Sequence, residues 1–323
     1  MRIARTPQRL LLYLVVTSAL LSALLVNDSV CLMLTPLVVA VIVRGRLPLF
    51  PYLMALATSA NIGSVATLVG NPQNMIIGIR SGISFLRFSA SMLPVAAVSL
   101  AISYFILQFS FRDILQRAVI RRADAPLPPL DRPLLIKTGF AFAFVICGFL
   151  AGWNFGWTAL SGAALLMVLA RRDTHEVLEQ VDWHLLVFFA ALFVVVGGLN
   201  DTGLPDALHE RVQARFGGHA ASQAWNLAWL SALGSNVFSN VPFVLVAARW
   251  INSFAQPELM WKVLALATTF AGNLTILGSV ANVIVVESAR GHVEIGFWDY
   301  AKIGVPITLA TIAPGTILLL LIG

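Results

Sequence analysis

The chain has 323 residues, of which 59% are hydrophobic and 11% charged, with a formal net charge of +6 and a mean hydropathy of +0.86. So much apolar surface cannot be hidden from water in one soluble domain, and the composition predicts an all-α polytopic membrane protein. The positive charge does not describe a nucleic-acid groove, because the arginines cluster between apolar runs and mark the cytoplasmic side.

Arg2, Arg5 and Arg9 precede the first apolar run and Arg44 and Arg46 follow the second. With both flanks on one side, residues 10–43 are expected to form a re-entrant hairpin with its tip near Asn27 and Asp28. The basic start runs straight into that polar break, which speaks against a removable signal peptide. Residues 49–79 then cross outward as a broken helix interrupted at "TLVGNPQN", and 88–111 return to Arg112, Arg117, Arg121 and Arg122. These elements make a first repeat over 1–111. A basic, Pro-rich cytoplasmic linker, 112–133, separates it from a second repeat over 134–323.

The second repeat opens with spans 134–153, 155–170 and 183–199, with a short amphipathic stretch at 171–186. A hairpin at 222–250 with its tip at Gly234 to Pro242, a broken helix at 260–286 and a last span at 301–322 follow. Three intervening spans, an odd number, invert the second copy. Arg211, Arg215 and Arg249 then fall outside. Trp153, Trp157, Trp183, Trp250, Trp261 and Trp298 lie near span ends, as an aromatic belt requires. His209 and His292 fall in expected loops and His184 at the membrane edge. Cys31 and Cys147 lie in apolar runs without CxxC spacing, which predicts buried reduced thiols.

The two copies are legible as a repeat. "TLVGNPQNMII" (67–77) aligns without gaps on "TILGSVANVIV" (275–285), so Thr67 meets Thr275, Gly70 meets Gly278 and Asn74 meets Asn282. "MALATSANIG" (54–63) resembles "LALATTFAGN" (264–273). Residues 83–100 resemble 295–312, pairing Phe85 with Phe297 and Pro94 with Pro306. Asn27 matches Asn236 or Asn240. Four features in one order, at an offset near 210 residues, indicate duplication.

Inverted copies that each carry a hairpin and an interrupted helix describe a secondary transporter with its site between the repeats. Non-helical backbone at membrane depth is tolerated only inside protein or beside a wet cavity. Pro72 removes a donor and biases Asn71 away from the helical region, and Gly70 permits a tight reversal. The freed carbonyls can coordinate a cation, and the helix beginning near Asn74 turns positive partial charge toward an anion. The candidate substrate- and ion-binding residues are therefore Asn27, Asp28, Thr67, Gly70, Asn71, Asn74, Ser235, Asn236, Asn240, Thr275, Gly278 and Asn282. Some of these amides serve to cap broken helices. Asp28 is the one acid expected deep in the membrane, an expensive placement that is functional by default. It fits an anionic ligand for Na+ or a proton carrier; it also fits a plain helix cap. No catalytic residue, metal centre or cofactor is expected beyond Na+ at the same loops.

"SALLVNDSVCLMLTPLV", "ANIGSVATLVGNPQNMIIG", "VDWHLLVFFAALFVVVGGLNDTG" and "GSNVFSNVPFVLV" resemble the ion transporter superfamily: citrate-type permeases, arsenite pump membrane proteins, D-type sodium/proton antiporters and divalent-anion/sodium symporters. The resemblance covers nearly the whole chain. It implies two inverted units, discontinuous helices forming the substrate and cation sites, elevator-like movement and a homodimer in a bacterial or archaeal cytoplasmic (inner) membrane. By position it assigns Asn27 and Asp28 to the first tip, Thr67 to Asn74 to the first interruption, Ser235 to Asn240 to the second tip and Gly272 to Asn282 to the second interruption. Two departures stand out. The first copy lacks the lead-in spans present in the second, which in relatives build scaffold and dimer contact; this suggests an incomplete or shortened chain and weighs against the dimer. The Ser-Asn-Thr signature of dicarboxylate symporters is also absent from both tips.

The first functional expectation is therefore Na+- or H+-coupled transport of a small anion, a carboxylate or an oxyanion such as arsenite, with no Arg or Lys at the midplane to hold it. The alternative is a sodium/proton antiporter using Asp28 as the exchangeable carboxylate. An intramembrane hydrolase lacks a second embedded Asp or a Ser/His pair, and the chain is not expected to be an enzyme. The partners expected are the small anion and the lipid bilayer.

Overall fold

The computed structural model describes residues 6–120, 131–179, 181 and 183–322, without the side chains of His184, Leu185, Ala214 and Arg215. Arg2, Arg5, Arg121 and Arg122 and most of the expected linker's second half lie outside the described residues. Within them all regular structure is helical. The helices are α1 (Pro7–Leu24), α2 (Asn27–Arg44), α3 (Leu49–Ser64), α4 (Pro72–Ser81), α5 (Phe85–Ser110), α6 (Arg112–Arg117), α7 (Arg132–Leu150) and α8 (Phe155–Ala170). They continue with α9 (Thr174–Glu179), α10 (Trp183–Asp201), α11 (Leu204–Phe216), α12 (Ala220–Phe238), α13 (Asn240–Ala247), α14 (Pro257–Ala271), α15 (Val280–Ala289) and α16 (Phe297–Ile322). Five of them, α1, α2, α5, α7 and α16, are long and apolar enough to cross a bilayer, and the chain is an integral membrane protein. Part of α10 and α11 form a further candidate span, bent by 65°.

Local chemistry explains where helices begin. Thr6 accepts the Arg9 N–H with Pro7 in the first turn of α1, and Asn71 accepts the Asn74 N–H with Pro72 opening α4. In each case the side chain satisfies an orphan donor and the proline occupies a position that needs none. Gly82, at φ 68°, ends α4 in the left-handed region. The break between α12 and α13 is a single residue, Ser239, at φ 72° and ψ 156°. That region is populated almost only by glycine and costs on the order of 1–3 kcal/mol for other residues.

The chain divides into two compact units. One comprises Met1–Ile83, Arg87–Ala123 and Gly198–Gly323; the other comprises Ser84–Leu86 and Asp124–Gly197. In the smaller unit α7 packs on α8, with Gly162 against the Val145 side chain and Gly148 beside Thr158. Phe85, Phe149 and Phe155 form a ring cluster there, with centroids 5.3–6.4 Å apart. Asp131 and Asn154 cap its two helices through the Leu134 and Trp157 N–H groups.

The larger unit is organised around α3 and α14. Every residue from Pro51 to Ser64 and from Leu259 to Ala271 is buried, so these two helices form the core. Each central helix has a matched set of neighbours. α1 packs on α3 and α12 on α14; α2 packs on α15 and α13 on α4; α15 packs on α3 and α4 on α14. The second helix of each hairpin thus lies against the half-helix of the other third of the chain.

In lipid, helix association rests on close packing and interhelical hydrogen bonds rather than on hiding apolar surface from water. The α1/α3 seam uses both. Gly63 brings α3 onto the Ala19 backbone, the Ser18 and Ser59 hydroxyls are 2.7 Å apart, and the Ser22 hydroxyl donates to the Ala60 carbonyl at 2.6 Å.

His209 lies in helix α11 rather than a loop, stacked on Trp250 at 5.5 Å. Trp250 and Trp261 are 1% and 5% exposed and belong to the core, not to an aromatic belt; the Trp250 indole donates to the Pro205 carbonyl at 3.2 Å. Cys31 is buried, but Cys147 is exposed. Lys262, which the sequence reading did not single out, is 4% exposed and pairs with Glu258 at 2.9 Å; Arg87 reaches the same carboxylate at 2.9 Å.

Candidate functional site

Between α3 and α4 the chain is unwound over 65–71, and between α14 and α15 over 272–279, where one short 3-10 turn spans Ile276–Gly278. Both interruptions close in the same way. The Asn74 amide donates to the Ser64 and Thr67 carbonyls at 3.3 and 2.9 Å; the Asn282 amide donates to the Gly272 and Thr275 carbonyls at 2.7 and 2.9 Å. Each asparagine thus satisfies carbonyls that the unwinding leaves without helical partners. A Cβ on Gly70 would overlap the Ser64 carbonyl, and one on Gly278 would meet the Gly272 carbonyl at 2.8 Å. Only glycine lets the backbone approach itself this closely.

The hairpin tips dock on these interruptions. The Asn27 N–H donates to the Gly70 carbonyl at 2.9 Å, and Thr67 donates its hydroxyl proton to the Ala23 carbonyl at 2.5 Å. On the second side Asn240 donates to the Gly278 carbonyl at 3.1 Å and Asn236 to the Ala271 carbonyl at 3.0 Å. Ser235 bonds only within its own helix, to the Ala232 carbonyl at 3.4 Å. Asp28, 6% exposed, lies beside the backbone N–H of Ala281 in the first turn of α15. Its carboxylate therefore faces the positive end of a half-helix from the other third of the chain.

One residue that the sequence reading passed over joins the two sides. Asn61, in the last turn of α3, donates to Asn273 Oδ1 at 2.9 Å and to Asn282 Oδ1 at 3.0 Å. Its own Oδ1 accepts from Asn27 Nδ2 at 2.9 Å and from the Ser279 hydroxyl at 3.1 Å. Asn71 adds a second bridge, donating to Ser64 Oγ at 2.8 Å and to Thr269 Oγ1 at 3.1 Å. Asn27, Asn71, Asn282 and the two glycine turns are thus held in one connected network, with Asn74 and Thr275 bracing the interruptions behind it. Its signal in the sequence was an amide inside an otherwise apolar, unbroken helix, where a polar side chain must have a buried partner.

The network is not fully satisfied. Asn27 Oδ1, Asn74 Oδ1, Asn240 Oδ1, Asn273 Nδ2 and the Tyr300 hydroxyl are buried without a hydrogen-bond partner. Orphaned polar atoms of this kind are rare in native interiors and indicate a place for water, ion or solute. Oxygen acceptors beside a carboxylate suit a hard monovalent cation such as Na+, and the amide and phenol donors suit solute oxygens.

The family model described as citrate transporter matches residues 1–271 of this chain. The chain belongs to the citrate transporter family. It is similar to an uncharacterized transporter of Mycobacterium tuberculosis, 33% identical over 97% of this chain and 77% of the relative. A silicon efflux transporter of Oryza sativa subsp. japonica is 32% identical over 93% of this chain and 76% of its own length. A Dictyostelium discoideum protein carrying the transporter name arsB is 27% identical over 95% and 74%. This family member is a membrane transporter and not an enzyme, within the ion transporter superfamily that the sequence motifs resemble.

Proposed function

We propose that this citrate transporter family member is a secondary active transporter that moves a small anion, coupled to Na+ or H+, through the cluster at the two helix interruptions. The observation that carries the reading is the joining of both interruptions and Asp28 around Asn61, with no Lys or Arg among the hydrogen-bonding partners of that network. An anion there meets amides, hydroxyls and helix N-termini. The Asp28 charge beside it requires a proton or a metal cation to offset it, since like charges in a low-dielectric site repel strongly. That requirement is a coupling mechanism: the cation and the solute each bind more tightly when the other is bound.

The reading includes an inverted relation between the copies, supported by the exchanged pairing of α2 with α15 and α13 with α4. It also includes a location in a bacterial or archaeal cytoplasmic membrane. A homodimer stays part of the proposal through the resemblance alone. The family's description favours a carboxylate such as citrate, and the rice relative's name favours a silicon oxyacid. A second reading, sodium/proton antiport, is favoured by the buried carboxylate of Asp28.

Purified protein in vesicles, offered radiolabelled citrate, succinate, phosphate, sulfate and arsenite with and without Na+ and pH gradients, tests these readings. Gradient-driven uptake or efflux of one probe supports anion transport. Na+/H+ exchange with no movement of any probe supports the antiporter, and no gradient-dependent flux at all overturns both.

A further inference from the structure

We propose that the Tyr300 hydroxyl is a binding group of the transport site, donating a hydrogen bond to an oxygen of the carried solute at the second helix interruption. This inference rests on the transport reading above and deepens it. Tyr300 is 1% exposed, and its hydroxyl has no hydrogen-bond partner among the described residues. The other fully buried tyrosine, Tyr52, behaves ordinarily and donates to the Pro7 carbonyl at 3.1 Å. A phenol buried in a tight interior without a partner forfeits a water hydrogen bond for nothing, unless something else arrives to take it.

The position of Tyr300 says what arrives. It lies one turn before Gly304, where α16 crosses the second interruption so closely that a Cβ would overlap the Asn273 carbonyl and meet the Leu274 carbonyl at 3.0 Å. One turn later Thr308 donates to the Phe270 carbonyl at 3.2 Å. The face formed by Tyr300, Gly304 and Thr308 is thus laid along the unwound segment. A second orphaned donor, Asn273 Nδ2, belongs to the same segment.

The first copy has buried serine hydroxyls without a partner in α5, at Ser89, Ser99 and Ser103, but no phenol at the matching position. The alignment that pairs Phe85 with Phe297 and Pro94 with Pro306 sets Phe88, Met92 and Ala96 opposite Tyr300, Gly304 and Thr308. All three are buried and apolar. The hydroxyl is therefore not required by the architecture that the two copies share; it makes the two half-sites chemically different. The second half-site presents free donors and takes solute oxygens.

The test is Tyr300→Phe, which keeps the ring and deletes one oxygen. If the hydroxyl binds solute, KM for the best probe among citrate, succinate, phosphate, sulfate, arsenite and silicate rises roughly 10- to 100-fold, the range expected for a hydrogen bond to a charged or strongly polar ligand. Saturating solute then raises the melting temperature of the variant less than that of the wild type, while the ligand-free variant melts at or above the wild-type temperature because an unpartnered hydroxyl has gone. Unchanged KM and unchanged solute-induced stabilisation, in a wild type that does transport a probe, overturn this inference and leave the transport reading standing. A wild type that neither binds nor moves any probe overturns both. Loss of ligand-free stability in Tyr300→Phe also overturns it, since the hydroxyl would then have a structural partner.

Discussion

The carboxyl of Asp28 lies beside the backbone N–H of Ala281 across more than two thirds of the sequence, so an acid in the first turn of α2 faces the first turn of α15. Charge and capping are separable here. Asp28→Asn keeps an acceptor oxygen for the Ala281 N–H and removes the negative charge. Its thermal stability should stay within about 1 kcal/mol of wild type, the scale of a charge at a helix end. Dependence of transport on Na+ or pH gradients should disappear. Vesicle flux with imposed gradients reads this directly, and a fully gradient-dependent Asn variant would remove Asp28 from coupling.

Asn61→Leu should be among the most damaging single changes in the chain. It leaves Asn273 Oδ1, Asn282 Oδ1, Asn27 Nδ2 and Ser279 Oγ without the partner they share. Each buried group left unsatisfied costs about 1–3 kcal/mol, with incomplete additivity. A loss of about 3 kcal/mol or more in unfolding free energy is expected, together with loss of transport. Thermal unfolding in detergent or nanodiscs measures the first and vesicle flux the second.

Gly70→Ala should abolish transport, because its methyl group cannot coexist with the Ser64 carbonyl and the interruption must rearrange. Overpacking of this kind costs about 1–3 kcal/mol or more when backbone is the obstacle. Gly291→Ala is the control: nothing lies within 4 Å of its Cβ position. It should leave both stability and flux close to wild type, and equal effects of the two substitutions would contradict the close-approach argument.

Ser239→Gly should stabilise the protein. The residue holds a glycine-only backbone conformation, and relieving it is worth more than the entropy glycine adds to the unfolded chain. A net gain of about 1 kcal/mol is expected as a higher melting temperature. Ser239→Val should move it the opposite way.

The all-α membrane class, the family and the transporter identity were legible because they rest on composition and on short polar strings in apolar surroundings. "TLVGNPQN" announces backbone irregularity through Gly70, Pro72 and three amides, none of which has another reason to sit in a lipid-depth helix. Asn61 was not legible in this way. It sits within a regular helix, and the repeat sets Ala271 opposite it, so neither irregularity nor symmetry marks it; beyond its being an amide in that helix, the folded partners Asn273 and Asn282 reveal its role. Helix α11 was missed because polar and charged residues interrupt its apolar ones. What orders it is tertiary: Asp206 pairs with Arg249 at 2.6 Å, and His209 stacks on Trp250. Trp250 and Trp261 were misplaced because a tryptophan near a span end satisfies the interfacial pattern whether it faces lipid or protein.

The junction around Asn61 is built wholly from amides and hydroxyls, so it carries no net charge of its own. Moving one elementary charge through a potential of 100 mV changes its energy by about 2.3 kcal/mol, whereas moving neutral dipoles as a body changes little. The electrical response of turnover would then be written by the passengers and by the protonation of Asp28 alone. Current measured under voltage clamp becomes a direct count of what travels together.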